Sequence, residues 1–411
     1  MTDYLFEECE KLGFDRDRLA AVPSYFQSYL QADKFAGLSI LVARNGKIAQ
    51  LSHQGTMGFD RDEPVDDASI FRIYSMTKPV TSVAIMQLYE RGKIMLTDPI
   101  TKFLPAFENV QVFDKGTPTD FTTRAPERMI TLHDLLTHQA GLTYDFLLEH
   151  PVDAMYRNKK INGARSEKLD TAELCAKLAE MPLLFSPGTA WNYSVATDVL
   201  GHVVELVSGQ TLDVYFKENI FDPLGMEDTF FRIPDDKRHR LMTNYLFDPI
   251  KRETRAVDGP EKTIYDSERR FLSGGGGLLS TMADYYKFAS MLHLGGTGAN
   301  GGYVVNRKTV EKMTSNQLPD NRTLEEHGCG EFTEVAYPGT GFGLGLSVVL
   351  DAGRTVSTTS HGNTSWGGLA STIFWNDPVE DMTVILMTQL MPANTYPLRP
   401  QLQQLVYAAL R

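Results

Sequence analysis

Cysteine is scarce: three residues, Cys9, Cys175 and Cys329, in a chain of 411. An odd number at such wide spacing gives no disulfide framework, so the fold must be held by its core. Long apolar runs are missing too, and none approaches the roughly 20 residues of a membrane-spanning helix. Basic residues are outnumbered, 40 Lys+Arg against 52 Asp+Glu for a net charge of -12. No basic cluster is dense enough to grip phosphates, and nucleic acid is not an expected partner. The first residues, Met1-Thr2-Asp3-Tyr4-Leu5-Phe6-Glu7-Glu8, are acidic where a secretory leader is basic and then apolar. A cytoplasmic location is the expectation, with no membrane partner.

Several catalytic signatures are absent as well. Gly-x-Ser-x-Gly, the nucleophile elbow of α/β-hydrolases, does not occur, and Asn363-Thr364-Ser365-Trp366-Gly367 lacks its first glycine. Gly274 to Gly277 is followed by no Gly-Lys-Ser/Thr, which excludes a phosphate loop. Gly341, Gly343 and Gly345 alternate as on one face of a strand rather than in a dinucleotide turn. No His-Glu-x-x-His appears, and His133 and His138, five apart, do not share a helical face. His138 is expected to support the fold near the cleft. Neither a metal nor a cofactor is expected.

What the chain does contain is enough apolar material for a real core: 42% hydrophobic and 10% aromatic. Its length suits two packed subdomains or one two-lobed domain. Residues 37–42 and 48–52 flank Asn45-Gly46, the strongest short hairpin signal. Residues 342–350, 369–375 and 382–389 have the pattern of three more strands, with Asn376-Asp377-Pro378 as the turn between the last two. Helical patterns fill the middle, at 75–91, 131–138, 171–181, 196–208, 211–219 and 282–293, with terminal helices near 14–32 and 399–410. An antiparallel sheet built from both chain ends, with a helical insertion, is an α+β arrangement. The charged stretch from Pro234 to about residue 270 is expected to be a surface excursion.

Three segments could carry chemistry. Ser75-Met76-Thr77-Lys78 opens an amphipathic helix closed by Gly92, and it is the only Ser-x-x-Lys in the chain. Residues three apart share a helical face, so the Lys78 amine can lie beside the Ser75 hydroxyl. A neighbouring base is one of the few ways to make a serine nucleophilic. Phe185-Ser186-Pro187-Gly188-Thr189-Ala190-Trp191-Asn192-Tyr193-Ser194-Val195 puts Tyr193 on a loop just before a helix, where a phenol can enter a cleft. Ser360-His361-Gly362-Asn363-Thr364-Ser365-Trp366-Gly367-Gly368-Leu369 places paired glycines at a strand entrance, where a ligand can approach the backbone closely.

Taken in order and spacing, these segments resemble the serine β-lactamase and DD-peptidase superfamily, and most closely its esterase branch, the family VIII carboxylesterases. The resemblance spans roughly residues 20–410. It includes Ile130 to Leu142, Ile220-Phe221-Asp222-Pro223-Leu224-Gly225-Met226 and Gly274 to Thr281. It implies an α/β sandwich subdomain from residues 1–74 and 270–411, a mostly helical subdomain from 75–269, and an active site between them. It also implies Ser75 as the acylated nucleophile, Lys78 and Tyr193 sharing the general-base role, and the N–H groups of Ser75 and Leu369 as the oxyanion hole. Free Lys and Tyr both titrate near 10, so either must shift by about three units, roughly 4 kcal/mol, to act at neutral pH. Which of them holds the proton is a property of the pair.

Two departures from the β-lactamase pattern bear on substrate. Tyr-x-Asn is replaced by Tyr193-Ser194-Val195, and neither Lys-Thr-Gly nor His-Thr-Gly occurs. Trp366-Gly367-Gly368 takes that place, as in the esterase branch, or His361-Gly362-Asn363 restores a cation there. An indole offers apolar surface rather than a charge, which favours small neutral esters over anionic β-lactams. The resemblance thus implies hydrolysis of a small-molecule ester through an acyl-enzyme, with β-lactam hydrolysis, peptide cleavage or acyl transfer as alternatives.

Overall fold

The computed structural model describes residues 4–165, 169–329 and 338–411, and in it both chain ends build one sheet. Strands β1 (Gly37–Arg44) and β2 (Lys47–Gly58) form the expected hairpin, in which Arg44 pairs with Lys47 and leaves Asn45-Gly46 as a two-residue loop. Both loop residues have positive φ, 53° and 70°, as a type I′ turn requires. Strand β3 (Arg61–Pro64) extends one edge. The C-terminal half contributes β4 (Thr340–Phe342), β5 (Ser347–Val349), β6 (Thr364–Gly367), β7 (Ile373–Asp377) and β8 (Met382–Thr388). The order is β4-β5-β6-β7-β8-β1-β2-β3, antiparallel throughout, with β8 running against β1 from Leu38↔Thr388 to Arg44↔Met382.

Side chains on the two central strands alternate between two cores, as the pleat demands. Leu38, Ile40, Val42, Val384 and Leu386 face the terminal helices α1 (Arg16–Gln31) and α5 (Leu398–Ala408). Leu41, Ala43, Ile385 and Met387 face the larger core. That core also takes in α2 (Thr77–Glu90), α3 (Ala196–Ser208) and α4 (Met282–His293). Helix α2 differs from its amphipathic expectation, because every residue from Thr77 to Leu88 is buried. A helix in the middle of the molecule has no solvent face for a polar stripe to occupy.

Two expected strands are shorter than the sequence suggests. Residues 342–350 break into a hairpin, with Gly343 N–H donating to the Leu346 carbonyl at 2.7 Å. Residues 369–375 begin as a turn, because Gly368 N–H donates to the Thr372 carbonyl and Ser371 has φ 66°. Gly367-Gly368 therefore lies at the exit of β6 rather than at a strand entrance. The 234–270 segment is less peripheral than expected. It holds a hairpin, Asn244–Asp248 with Glu253–Asp258, which Leu390–Met391 joins as a third strand. Pro151–Lys159 is a helix with no counterpart in the sequence reading. Among the described residues no helix is long and apolar enough to cross a membrane.

Candidate active site

Ser75 sits in a single 3-10 turn, Tyr74–Met76, that feeds directly into α2. Tyr74 has φ 41°, an unusual conformation for a bulky residue. Its hydroxyl accepts from Asn244 Nδ2 at 2.8 Å, which ties the bend to the 244–258 hairpin. The N–H groups of a first helical turn have no intrahelical partner, so Ser75 presents its own amide together with its hydroxyl. The side chain is nearly buried but lines a cavity with Tyr144, Phe146, Gly275, Gly276 and Leu369.

Around Ser75 the sequence-predicted residues converge. Tyr193 Oη donates to Ser75 Oγ at 2.7 Å, and Lys78 Nζ lies 3.2 Å from the same oxygen. Lys78 is fully buried, and its Nζ also donates to Tyr144 Oη at 3.0 Å and the Gly275 carbonyl at 2.7 Å. These acceptors can satisfy the three protons of an ammonium. The same Nζ lies 4.5 Å from the centroid of the Tyr193 ring, within cation–π range.

The remaining predicted residues divide. Leu369 borders the Ser75 cavity, on the turn after β6. Gly368 is needed for close approach, since a Cβ there would sit 2.5 Å from the Ile73 carbonyl oxygen, two residues before Ser75. Gly367 faces the other way, over the Arg399 guanidinium, where a Cβ would meet Cζ at 2.6 Å. Trp366 corrects its expectation, because its indole is completely buried. It packs at 5.5 Å from the Tyr193 ring and 5.3 Å from Phe342 and offers no surface to a substrate. Alternation along β6 sends it into the core behind Tyr193. His361 is not at the site: it is exposed at the opposite end of β6, with Nδ1 2.9 Å from the Leu350 carbonyl.

Three participants were not legible beforehand. Tyr144 follows directly on the Ile130–Leu142 stretch, and that adjacency was the only available signal. Gly275 lay in the quoted glycine run but had no assigned contact. Asp198, on the first turn of α3, is buried, and its Oδ1 accepts from Ser273 Oγ at 2.5 Å and Gly275 N–H at 3.0 Å. It thereby anchors, on its N–H side, the residue whose carbonyl holds Lys78. Burial raises the Asp198 carboxyl above its usual range, against the lowering effects of the Ser273 hydrogen bond and the Lys78 charge.

His138 supports the site from behind, as expected, with its ring 4.9 Å from Tyr193 and Nδ1 3.1 Å from Ser194 Oγ. Burial first, and the Lys78 charge second, hold it well below the usual 6.5, so it is neutral in the fold. The unfolded chain takes up a proton near 6.5 that the folded state resists. Stability therefore falls as pH drops below that value. Lowering the pH from about 7.5 to about 5 should destabilise wild type by up to ~1.4 kcal/mol per unit through this group. In His138→Gln that component should be gone. The difference between the two melting profiles isolates it from Asp198, whose shift has the opposite sign. Parallel profiles would show that His138 is not the group responsible.

A serine hydroxyl held by an amine and a phenol, at the head of a buried helix beside a sheet of this order, is found together with a match over nearly the whole chain. The Beta-lactamase family profile matches residues 22–408. The chain belongs to the beta-lactamase family. Its relatives there include Protein Rv1367c of Mycobacterium tuberculosis, 33% identical over 88% of this chain and 87% of that protein. Esterase EstB of Burkholderia gladioli is 30% identical over 96% of this chain and 97% of its own length. Among solved structures, EstCE1, a hydrolase with promiscuous acyltransferase activity, superposes with a TM-score of 0.79 at 25% identity, over 95% of this chain and 99% of that one. This beta-lactamase-family protein is a serine hydrolase or acyltransferase by that kinship. Among its described residues no group of three or more His, Cys, Asp or Glu side chains is arranged to hold a metal ion.

Proposed function

We propose that this protein is a carboxylesterase that cleaves small neutral esters through an acyl-enzyme on Ser75. The observation that carries this reading is the placement of Tyr193 Oη at 2.7 Å and Lys78 Nζ at 3.2 Å from one serine oxygen, at the wall of a cavity shared with Leu369. Tyr193 as phenolate would take the Ser75 proton as Oγ attacks the ester carbonyl. Lys78 as ammonium would hold that phenolate and keep it in the charged form. The tetrahedral oxyanion would lie between the Ser75 and Leu369 N–H groups. The same phenol would then protonate the leaving alcohol, and water would release the acid by the reverse sequence.

The walls of the cavity support this substrate class. Tyr74, Tyr144, Phe146, Asn162, Ala164, Gly275, Gly276 and Leu369 carry no charge, so none of these lining residues offers a cation to an anionic substrate. The cavity at Ser75 measures about 30 Å³, room for roughly two water-sized groups. That favours acetyl and propionyl groups over long acyl chains. The kinship with Esterase EstB supports the esterase assignment. Acyl transfer to an alcohol is a second reading, because EstCE1 combines hydrolysis with that activity and both pass through an acyl-enzyme.

The test is a series of p-nitrophenyl esters of rising acyl length, with a chromogenic cephalosporin beside it. The highest kcat/KM should fall on the acetate or propionate, with the cephalosporin far behind. Preference for the cephalosporin would overturn the neutral-ester reading. Adding a primary alcohol to the acetate assay measures the share of acyl transfer directly.

A further inference from the structure

The oxyanion-hole turn is gripped from the far side of the sheet. Arg399, in the first turn of α5, directs Nη2 to the Gly368 carbonyl at 2.6 Å and to the Thr372 carbonyl at 2.9 Å. The Gly368 carbonyl and the Leu369 N–H are opposite ends of one peptide unit. A trans peptide is planar, so its C=O and N–H point in opposite directions. Fixing the carbonyl on Arg399 therefore fixes where the Leu369 N–H points. The Thr372 carbonyl also accepts from Gly368 N–H at 2.9 Å, so Arg399 secures both ends of the same turn. Gly367 leaves room for the guanidinium to pass, and Gly368 lets the turn press against the Ile73 carbonyl, next to the nucleophile.

We propose that Arg399 is a positioning residue that aims and polarises the Leu369 N–H of the oxyanion hole. A cation on the carbonyl draws electron density toward oxygen and makes the N–H of that peptide a stronger donor. A donor aimed in advance costs no reorganisation when charge develops on the substrate. A guanidinium spans two carbonyls with one planar group, which a lysine ammonium on a flexible stem does less well. The inference rests on the serine-esterase reading of the site and goes beyond it by assigning a function to a residue outside the cavity.

The test compares wild type, Arg399→Met and Arg399→Lys, each normalised by titration with a fluorophosphonate. Three quantities are read: kcat/KM on p-nitrophenyl acetate, inhibition by an aryl boronic acid, and inhibition by an ether analogue of the ester. The boronate forms a tetrahedral adduct on serine with an oxygen in the hole, whereas the ether only occupies the cavity. In Arg399→Met, kcat/KM should fall about 10–100-fold, short of the ~10²–10³ for deleting a donor outright. Boronate affinity should fall by the same factor while ether affinity stays within about twofold. Arg399→Lys should lie between the two. Unchanged kcat/KM, or a loss of activity without the matching loss of boronate affinity, would overturn the proposal. If Arg399→Met does not fold, the same criteria applied to Arg399→Lys decide it. A wild type that the fluorophosphonate does not label would instead remove the esterase reading, and this assignment with it.

Discussion

Ser75→Ala should lower kcat/KM on short-chain esters by at least about 10⁴-fold, the order seen when a serine nucleophile is removed from a working constellation. The protein should remain folded. Lys78 keeps Tyr144 and Gly275 as acceptors, and what is lost is the bonds that Lys78 Nζ and Tyr193 Oη make to Ser75 Oγ. Losing hydrogen bonds at a buried site costs about 1–3 kcal/mol, well within what a core of this size tolerates. Circular dichroism and a melting curve establish the fold, and ester hydrolysis gives the rate. Intact wild type treated with a fluorophosphonate should carry the label on the peptide containing Ser75. More than a tenth of wild-type activity in the folded variant would mean that another group attacks the ester.

The second large effect concerns stability. Arg72 has a completely buried guanidinium that pairs with Asp258 and also donates to the Met242 carbonyl at 2.6 Å and Gln389 Oε1 at 3.1 Å. Asp258→Ala removes the only carboxylate bonded to that guanidinium among the described residues, and it also takes away the acceptor for Thr263 Oγ1 and Ile264 N–H. Stranding a buried charge costs about 3–5 kcal/mol, far more than the pair itself contributes. Urea denaturation followed by fluorescence should show this loss in Asp258→Ala. Adding Arg72→Met to it should recover part of the stability, since no unpaired charge then remains. A loss below about 1 kcal/mol in the single variant would show that the neutral acceptors suffice for Arg72.

That ion pair also shows where sequence reading stopped. Residues 234–270 are charged and turn-rich, a composition that suits an exposed excursion, and nothing in it marks Asp258 as the counterion of a residue 186 positions away. Elements with local signals were placed well. Asn45-Gly46 specified its hairpin, and the periodicity of 196–208 and 282–293 gave the helices observed. Strand ends were placed less well wherever a turn depends on a non-local contact. The 368–372 turn is closed by Arg399 and pressed on Ile73, and neither contact leaves a trace in Gly367-Gly368-Leu369 itself. Trp366 was assigned to the substrate side because its position in the motif is local information. Its burial behind Tyr193 is a property of the sheet's packing.

The division follows the range of the forces involved. Three-residue helical spacing places Lys78 beside Ser75, and the family resemblance picks out Tyr193 ahead of α3, so those residues could be named without the tertiary structure. Tyr144, Gly275, Asp198 and Arg399 reach Lys78, or the backbone around the Ser75 cavity, from separate elements. Only the closing of the sheet from both chain ends around α2 brings them together. Long-range hydrogen bonds and burial choose those partners, and neither is written in the spacing of residues along the chain.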